Sequence, residues 1–593
     1  MLIKNNYKKT SNFFILNGTS EYNIILPCIA EEYEEKAAAE LSCFLFRATG
    51  AQLKILYEDA VVEDGKYIFL GNLSANNEVK SSLSYKQLNK EGFVIVTKGE
   101  NISIVGKSDR GTLFGVYKFL EKTVRYRYYG IEQINFNTEK DVPLYLFDWV
   151  EMPDIEARCL GHYEVFKTQY NPEYPIHTDR LRLARTAWTD WVMFAHTYFS
   201  IIPKDKYFET HRDFYSPDGG NLCLSNLELR KEFLKNLKQI ITENEGDLVM
   251  IGQEDTFEFC DCPACKKRVE EDGNPAGLMM EFSNEIATEI KTWLAETNPE
   301  RKLTLVTFAY NATAFPPVKY DKDLREYVPL KETYKAVDNL AVMVVPRGAA
   351  HSKSLFDEKF NKRVKEQLLG WKAVSKQLHI WTYCVNYDHF LINFNNIHAL
   401  RENYQIYRDI GTTFLFDQGA TNVRTPCFDM LRMFVQSELL WDTSLDTDAL
   451  IDEFINAYYM ELAPYMKEYF NKVFNRWKII ESKYGIQSYT GGGSTYYLRK
   501  DFWPKDFVDE CMDLFRIMRG EIERFATIEE WDKYVILRKR LYREWLSVRY
   551  LLLHLYGNYF GEDLAIKIKT FREDCKRYEV DPYNEGAEMI DIF

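Results

Sequence analysis

The stretch DLVMIGQEDTFEFCDCPAC, Asp247 to Cys265, decides how the rest of the chain is read. An apolar run, Leu248 to Ile251, breaks off at Gly252, Gln253, Glu254 and Asp255; a short aromatic and acidic loop follows, then three closely spaced cysteines. A short apolar run bounded by turn residues reads as a buried strand. A buried strand that hands two adjacent carboxylates to its C-terminal end is what a barrel enzyme needs for acid/base chemistry. Taken alone, the pair is more simply a strand end and the start of a turn. The other strands decide.

From about residue 151, apolar runs alternate with amphipathic segments. Strands are predicted at 156–163, 191–196, 247–254, 302–310, 340–348, 378–386 and 413–419, with helices at 227–244, 278–297, 360–377 and 395–411 between them. Alternation with near-continuous apolar strands predicts an α/β fold with a parallel sheet. Seven such units in one domain predict a (β/α)8-type barrel over 151–427. No clear eighth strand follows Asp417, which leaves room for an irregular barrel.

Residues 1–150 read as an N-terminal α+β domain, with strands at 23–27 and 66–71, an amphipathic helix at 31–50 and a β-hairpin at 92–106. A helix at 109–124 carries Gly111 and Gly115 on one face, small enough for close packing on a sheet. No catalytic constellation occurs there, so the domain reads as a structural companion. Residues 428–593 read as a helical C-terminal region. A glycine-rich loop, TGGGSTYY (490–497), interrupts it; lacking a P-loop lysine, it reads as a flexible loop within reach of the barrel mouth.

At 593 residues the chain is too long for one core. A net charge of −14 argues against nucleic acid or an anionic membrane as partner, since either selects a basic face. The N-terminus lacks the apolar core of a signal peptide, and no run is long enough for a membrane span, so a cytoplasmic protein is expected. Eleven dispersed cysteines do not make a disulfide scaffold. Aromatic residues make up 15% of the chain, which suits sugar stacking as well as a packed core.

The predicted strand ends are polar almost throughout: His162, then His196, then Glu254 and Asp255, then Tyr310, then Arg347, then Trp381, Tyr383 and Asn386, and last Asp417 and Gln418. In a barrel these positions line the functional face. Two carboxylates on different strands suit glycoside hydrolysis, and Glu254 with Asp417 is the candidate pair. Asp255 shares the pocket only if the strand breaks, because successive strand residues point to opposite faces. It then suits orientation of a substrate N-acetyl group that itself attacks. Cys260, Cys262 and Cys265 form C-x-C-x2-C, and Cys223 is a conceivable fourth ligand. Structural zinc and plain reduced cysteines both fit this set. No H-E-x-x-H helix or dinucleotide fingerprint occurs, and no cofactor is expected for catalysis.

With these residues in view, the chain resembles the DUF4838 family of bacterial glycoside hydrolase-like proteins, some of which are endo-β-N-acetylglucosaminidases of glycoside hydrolase family 163. The resemblance spans roughly residues 90–470. It rests on GTLFGVYKFLEKTVRYRYYG (111–130), AHTYFSIIPKDKYFETHRDFYS (195–216), LCLSN (222–226), GQEDTFEFCDCPAC (252–265), IWTYCVNYDHFLINFNNI (380–397) and LFDQGA (415–420). The N-terminal part is similar to the non-catalytic domain preceding the barrel in α-glucuronidases and β-hexosaminidases. The resemblance implies a retaining glycosidase acting on an oligosaccharide or glycan. The family often has Gln-Asn-Asp where this chain has Gln253-Glu254-Asp255, and a glutamate where it has Asp417.

The expectation is therefore a glycosidase: Glu254 as general acid/base, Asp255 orienting substrate, Asp417 as nucleophile or electrostatic stabiliser. His162, His196, Tyr310, Arg347, Trp381, Tyr383, Asn386 and Gln418 would bind sugar. A non-catalytic carbohydrate-binding barrel and a zinc-dependent barrel hydrolase are the alternatives.

Overall fold

A computed structural model describes residues 5–130, 133–170, 176–183, 191–491 and 494–580. The N-terminal sheet comprises β1 (Asn6–Ile15), β2 (Tyr22–Leu26), β3 (Ile55–Tyr57), β4 (Lys66–Leu70), β5 (Phe93–Lys98), β6 (Asn101–Gly106) and β7 (Val142–Glu151), in the order β1-β7-β5-β6-β4-β2-β3. Helices α1 (Glu32–Thr49) and α2 (Asp109–Val124) pack on it. The small face of α2 is used as expected: a Cβ on Gly115 would lie 2.6 Å from Ile104 Cγ2.

The second sheet is parallel and comprises β8 (Ala157–Leu160), β9 (Trp191–Met193), β10 (Leu248–Ile251), β11 (Thr304–Ala309), β12 (Leu340–Val344), β13 (Leu378–Tyr383) and β14 (Thr412–Gln418). Its order is β8-β14-β13-β12-β11-β10-β9, so the first strand pairs with the last. Among the described residues nothing pairs β8 with β9, and no eighth strand joins the sheet.

Both faces of this sheet are apolar, hence the near-continuous hydrophobic strands. Phe308, Met343, Phe414 and Phe416 belong to an inner cluster, whereas Leu305, Val342, Val344 and Leu415 pack outward under the helices. The sheet is strongly curled. The Trp191 ring on the β9 edge lies 5.4 Å from that of Phe414 on β14 and 6.1 Å from that of His379 on β13. Such contacts need a sheet curled enough for its inner faces to look at each other.

Helices α3 (Leu227–Glu243), α4 (Pro263–Asp272), α5 (Ala276–Thr297), α6 (Lys362–Val374) and α7 (Leu400–Asp409) lie between these strands in sequence. After β14 the chain is helical: α8 (Asp429–Trp441), α9 (Thr447–Tyr459), α10 (Ala463–Tyr484), α11 (Lys505–Glu523), α12 (Trp531–Tyr556) and α13 (Leu564–Arg577). Among the described residues no helix is long and apolar enough to cross a membrane.

Candidate active site

Strand β10 stops at Ile251 because the next residues serve a different geometry. The Gly252 carbonyl accepts the N–H groups of Thr197 and Tyr198, so the chain segments after β9 and β10 run in close contact. A Cβ at Gly252 would lie 2.5 Å from the Ala195 carbonyl oxygen, which requires glycine. Ala195 itself has φ +67°, a left-handed turn that costs on the order of 1 kcal/mol or more. It sets up His196, whose Nδ1–H donates to the Gln253 carbonyl at 2.6 Å. That leaves Nε2 as the ring nitrogen free of this contact.

Gln253 is buried and holds the break. Its amide donates to the Tyr310 carbonyl at 2.5 Å, and its Oε1 accepts from Thr313 at 2.9 Å. The two carboxylates then diverge along the C-terminal rim. Glu254 Oε1 accepts the Phe199 N–H at 2.9 Å, on the β9 side. Asp255 Oδ1 accepts the Tyr310 hydroxyl at 2.9 Å and the Asn311 amide at 3.4 Å, on the β11 side. The break required for both to reach the rim is present. Burial raises the Glu254 carboxyl above the usual range, against the opposing pull of the Phe199 N–H and the His196 and Lys204 charges. Asp255 is exposed. Burial and the Asp255 bond push the Tyr310 hydroxyl up to about 12.

Arg347 extends this network, donating to the Tyr310 hydroxyl and to Asn311 Oδ1, each at 3.1 Å. Its guanidinium lies 5.5 Å from the ring centre of Phe257, which is 70% exposed. The exposed ring lies in the aromatic loop of the opening stretch, two residues beyond Asp255. Trp381 stacks between Phe194 (5.2 Å) and Phe308 (5.7 Å), and Phe308 stacks on Tyr310 (4.9 Å). The Trp381 indole N–H donates to Gln418 at 2.7 Å. Tyr383, also on the inner face, meets Tyr387 edge-on at 5.8 Å. His196, Glu254, Asp255, Tyr310, Arg347, Trp381, Tyr383 and Gln418 thus line the inner face or its C-terminal rim.

Three expected site residues lie elsewhere. Asp417 follows Leu415 on the outward face of β14 and is 1% exposed. Its Oδ2 accepts the Tyr404 hydroxyl and the Gln436 amide, both at 2.7 Å. It therefore does not flank a bond held against Glu254. His162 is also buried, with Nδ1 2.7 Å from Asp429 and Nε2 2.7 Å from Gln436 Oε1. Both partners are acceptors, so both ring nitrogens carry protons. Burial opposes that charge, yet the Asp429 carboxylate lifts the imidazole well above its ordinary value. Asn386 is a buried turn residue: its amide donates to the Tyr489 carbonyl at 3.0 Å and its Oδ1 accepts the Asp388 N–H.

The loop between α10 and α11 meets the segment that follows β13. Besides Tyr489, the Thr490 carbonyl accepts the Tyr387 N–H at 2.9 Å. Gly492 and Gly493 of the glycine-rich loop fall outside the described residues.

One residue absent from the expected site organises the acidic loop. Asn221 Oδ1 accepts the Glu254 N–H at 3.2 Å, and its amide donates to the Glu258 carbonyl at 3.0 Å. Its only sequence signal is its place next to the LCLSN stretch. Two residues on, Cys223 brings its sulfur to those of Cys260, Cys262 and Cys265; all four lie within 4.8 Å of one another.

No curated protein matches the sequence. The structure is similar to that of BtGH115A, a family GH115 4-O-methyl-α-glucuronidase with specificity for decorated arabinogalactans. The TM-score is 0.53 at 11% identity, over 96% of this chain and 77% of that one, which is a likeness of fold. CpGH84B aligns over 100% of this chain and 98% of that one, at 13% identity and a TM-score of 0.40. Residues 20–119 match the glycosyl hydrolase family 67 N-terminus. Residues 128–471, more than half of the chain, match the domain of unknown function DUF4838, and the chain belongs to that family.

Proposed function

We propose that the protein is a retaining glycosidase on an irregular barrel, in which Glu254 and Asp255, rather than Glu254 and Asp417, form the carboxylate pair. The observation that carries this reading is the divergence of two adjacent carboxylates into different environments beside an aromatic floor. Glu254, half-buried and raised by burial, suits a general acid that is protonated at the start of the reaction. It protonates the glycosidic oxygen and then, as carboxylate, takes a proton from water.

With Asp417 enclosed on the outer face of β14, the expected protein nucleophile is not in the pocket. Substrate-assisted chemistry needs none: Asp255 accepts the N–H of a substrate acetamido group, and the acetamido oxygen attacks the anomeric carbon as the leaving group departs. Water then opens the cyclic intermediate with retention. The resemblance to glycoside hydrolase family 163 supports an N-acetylglucosamine-containing substrate. Phe257 offers an exposed face for a sugar ring, and His196 Nε2 and Arg347 offer polar contacts to hydroxyl groups.

The test is hydrolysis of a panel of aryl glycosides and N-acetylated oligosaccharides. Glu254→Gln and Asp255→Asn are each expected to lower the rate by at least ~100-fold on the acetamido substrate. The rate should fall as pH rises through the raised Glu254 value, because the acid loses its proton. Near-normal rates in both variants would overturn the assignment. Saturable sugar binding without release of reducing ends would favour a non-catalytic carbohydrate-binding barrel.

A further inference from the structure

The four sulfurs of Cys223, Cys260, Cys262 and Cys265 meet at the edge of the main apolar core, and no disulfide joins them. The Cys223–Cys262 and Cys223–Cys265 separations are 3.6 and 3.9 Å. A disulfide holds its sulfurs about 2.05 Å apart. Zinc–thiolate bonds of about 2.3 Å in a tetrahedron put neighbouring sulfurs about 3.8 Å apart. We propose that these four thiolates hold one Zn2+ as a structural tetrathiolate, which ties the loop carrying Glu254 and Asp255 to the loop before α3.

The surroundings suit thiolates. Cys262 caps α4, its sulfur accepting the Cys265 N–H at 3.5 Å, so the positive end of a ten-residue helix faces the cluster. Ser225 Oγ lies 3.1 Å from Cys265 Sγ and 3.4 Å from Cys223 Sγ, and its hydroxyl can donate to a deprotonated sulfur. Cys223, Cys260 and Cys265 are buried, which shields the site from exchange with solvent. Four protein ligands close the tetrahedron and leave no position for water, so the ion is structural and a zinc-activated hydrolase centre does not fit here.

The ion would act on the rim mechanically. Cys223 lies two residues beyond Asn221, which grips Glu254 and Glu258 by their backbones. Cys260 lies two residues beyond Glu258. One ion thus closes a ring through both loops, with the acidic pair inside it.

The test uses the full chain, expressed with zinc, desalted without chelator and analysed for metal by elemental analysis and native mass spectrometry. The expected result is one zinc per chain, and replacement by Co2+ should give the visible bands of a tetrahedral cobalt tetrathiolate. Cys262→Ser, at the half-exposed ligand, should lose the metal. It should also raise amide exchange across residues 252–262 by at least ~10-fold while distant helices stay protected. Metal-free wild-type protein with four reduced thiols, or a disulfide within the set, would overturn the proposal. Exchange in 252–262 unchanged on metal loss would overturn the clamp. If Cys262→Ser does not fold, metal content and the cobalt spectrum of the wild type decide. None of these readouts depends on glycosidase activity.

Discussion

Asp417 and Glu254 differ in the face of the sheet they serve, and that difference sets what each can do. Asp417 is fully enclosed, and its Oδ1 has no hydrogen-bond partner among the described residues, whereas Oδ2 takes two donors. Burial raises its pKa, against the pull of Tyr404, Gln436, His162 and Arg432. An asparagine can keep its oxygen on both donors and put its amide at the unpartnered position. Asp417→Asn is therefore expected to retain most of any hydrolytic rate and of the melting temperature. Asp417→Ala leaves the Tyr404 hydroxyl and the Gln436 amide unsatisfied, at about 1–3 kcal/mol each, and should lower stability accordingly. Thermal melts and rates of the two variants check this. A large rate loss in a well-folded Asp417→Asn protein would return Asp417 to the reaction.

At the scale of elements, the start of α8 is the point of tension. Cys427 and Phe428 both have φ near +70° (66° and 69°), a left-handed conformation that costs about 1–3 kcal/mol per residue outside glycine. The turn aims Asp429 at His162 beneath β8. Helix α12 holds it in place: Glu544 accepts the Phe428 N–H at 2.8 Å and the Tyr459 hydroxyl at 3.0 Å, and Cys427 contacts Ser547 at 2.9 Å. Burial lifts Glu544 to about 7, opposed by those two hydrogen bonds. In the unfolded chain it titrates near ~4.3. A raised folded value means that the stabilisation is complete below ~4.3 and is lost as pH rises through about 7. Urea unfolding should show wild type losing stability on the order of 3 kcal/mol more than Glu544→Gln between about pH 5 and about pH 8. Parallel pH profiles would contradict it.

For the whole molecule, Trp441 is the keystone. It ends α8, is 2% exposed, and packs its ring against Phe93 (6.2 Å) and Phe114 (5.4 Å) of the N-terminal domain. The guanidinium groups of Arg158 and Arg182 lie 5.0 and 4.7 Å from its ring centre, and its indole N–H donates to Glu151 at 2.5 Å. Around it, Arg182 also pairs with Glu438 at 2.7 Å, and Arg127 pairs with Glu438 at 2.9 Å and Glu453 at 2.6 Å. Removing one partner of such enclosed pairs strands a charge, so the junction tolerates little change. Trp441→Ala should cost about 3–5 kcal/mol in urea unfolding. Trp441→Phe, which keeps a ring but loses the Glu151 bond, should cost less. A loss below about 1 kcal/mol for the alanine variant would show that the junction carries little of the stability.

The sequence by itself determined what is local or periodic. Alternating apolar runs and amphipathic helices carried the parallel sheet, because burial of both strand faces leaves a continuous hydrophobic signature. The abrupt end of LVMI before Gln253, Glu254 and Asp255 marked the acidic rim, and C-x-C-x2-C marked the sulfur cluster. Only the tertiary structure decided which side chains share a face. In TTFLFDQ, Phe414, Leu415 and Phe416 are apolar on both sides of the strand, so the run carries no phase, and side-chain direction reverses at every residue. The phase hides Asp417 and turns Gln418 to Trp381. His162 gives no signal of its burial either, since its partners Asp429 and Gln436 arrive from a helix far along the chain. Cys223 is separated from the other three cysteines by α3 and β10, and only the meeting of two loops at the rim brings the four sulfurs together.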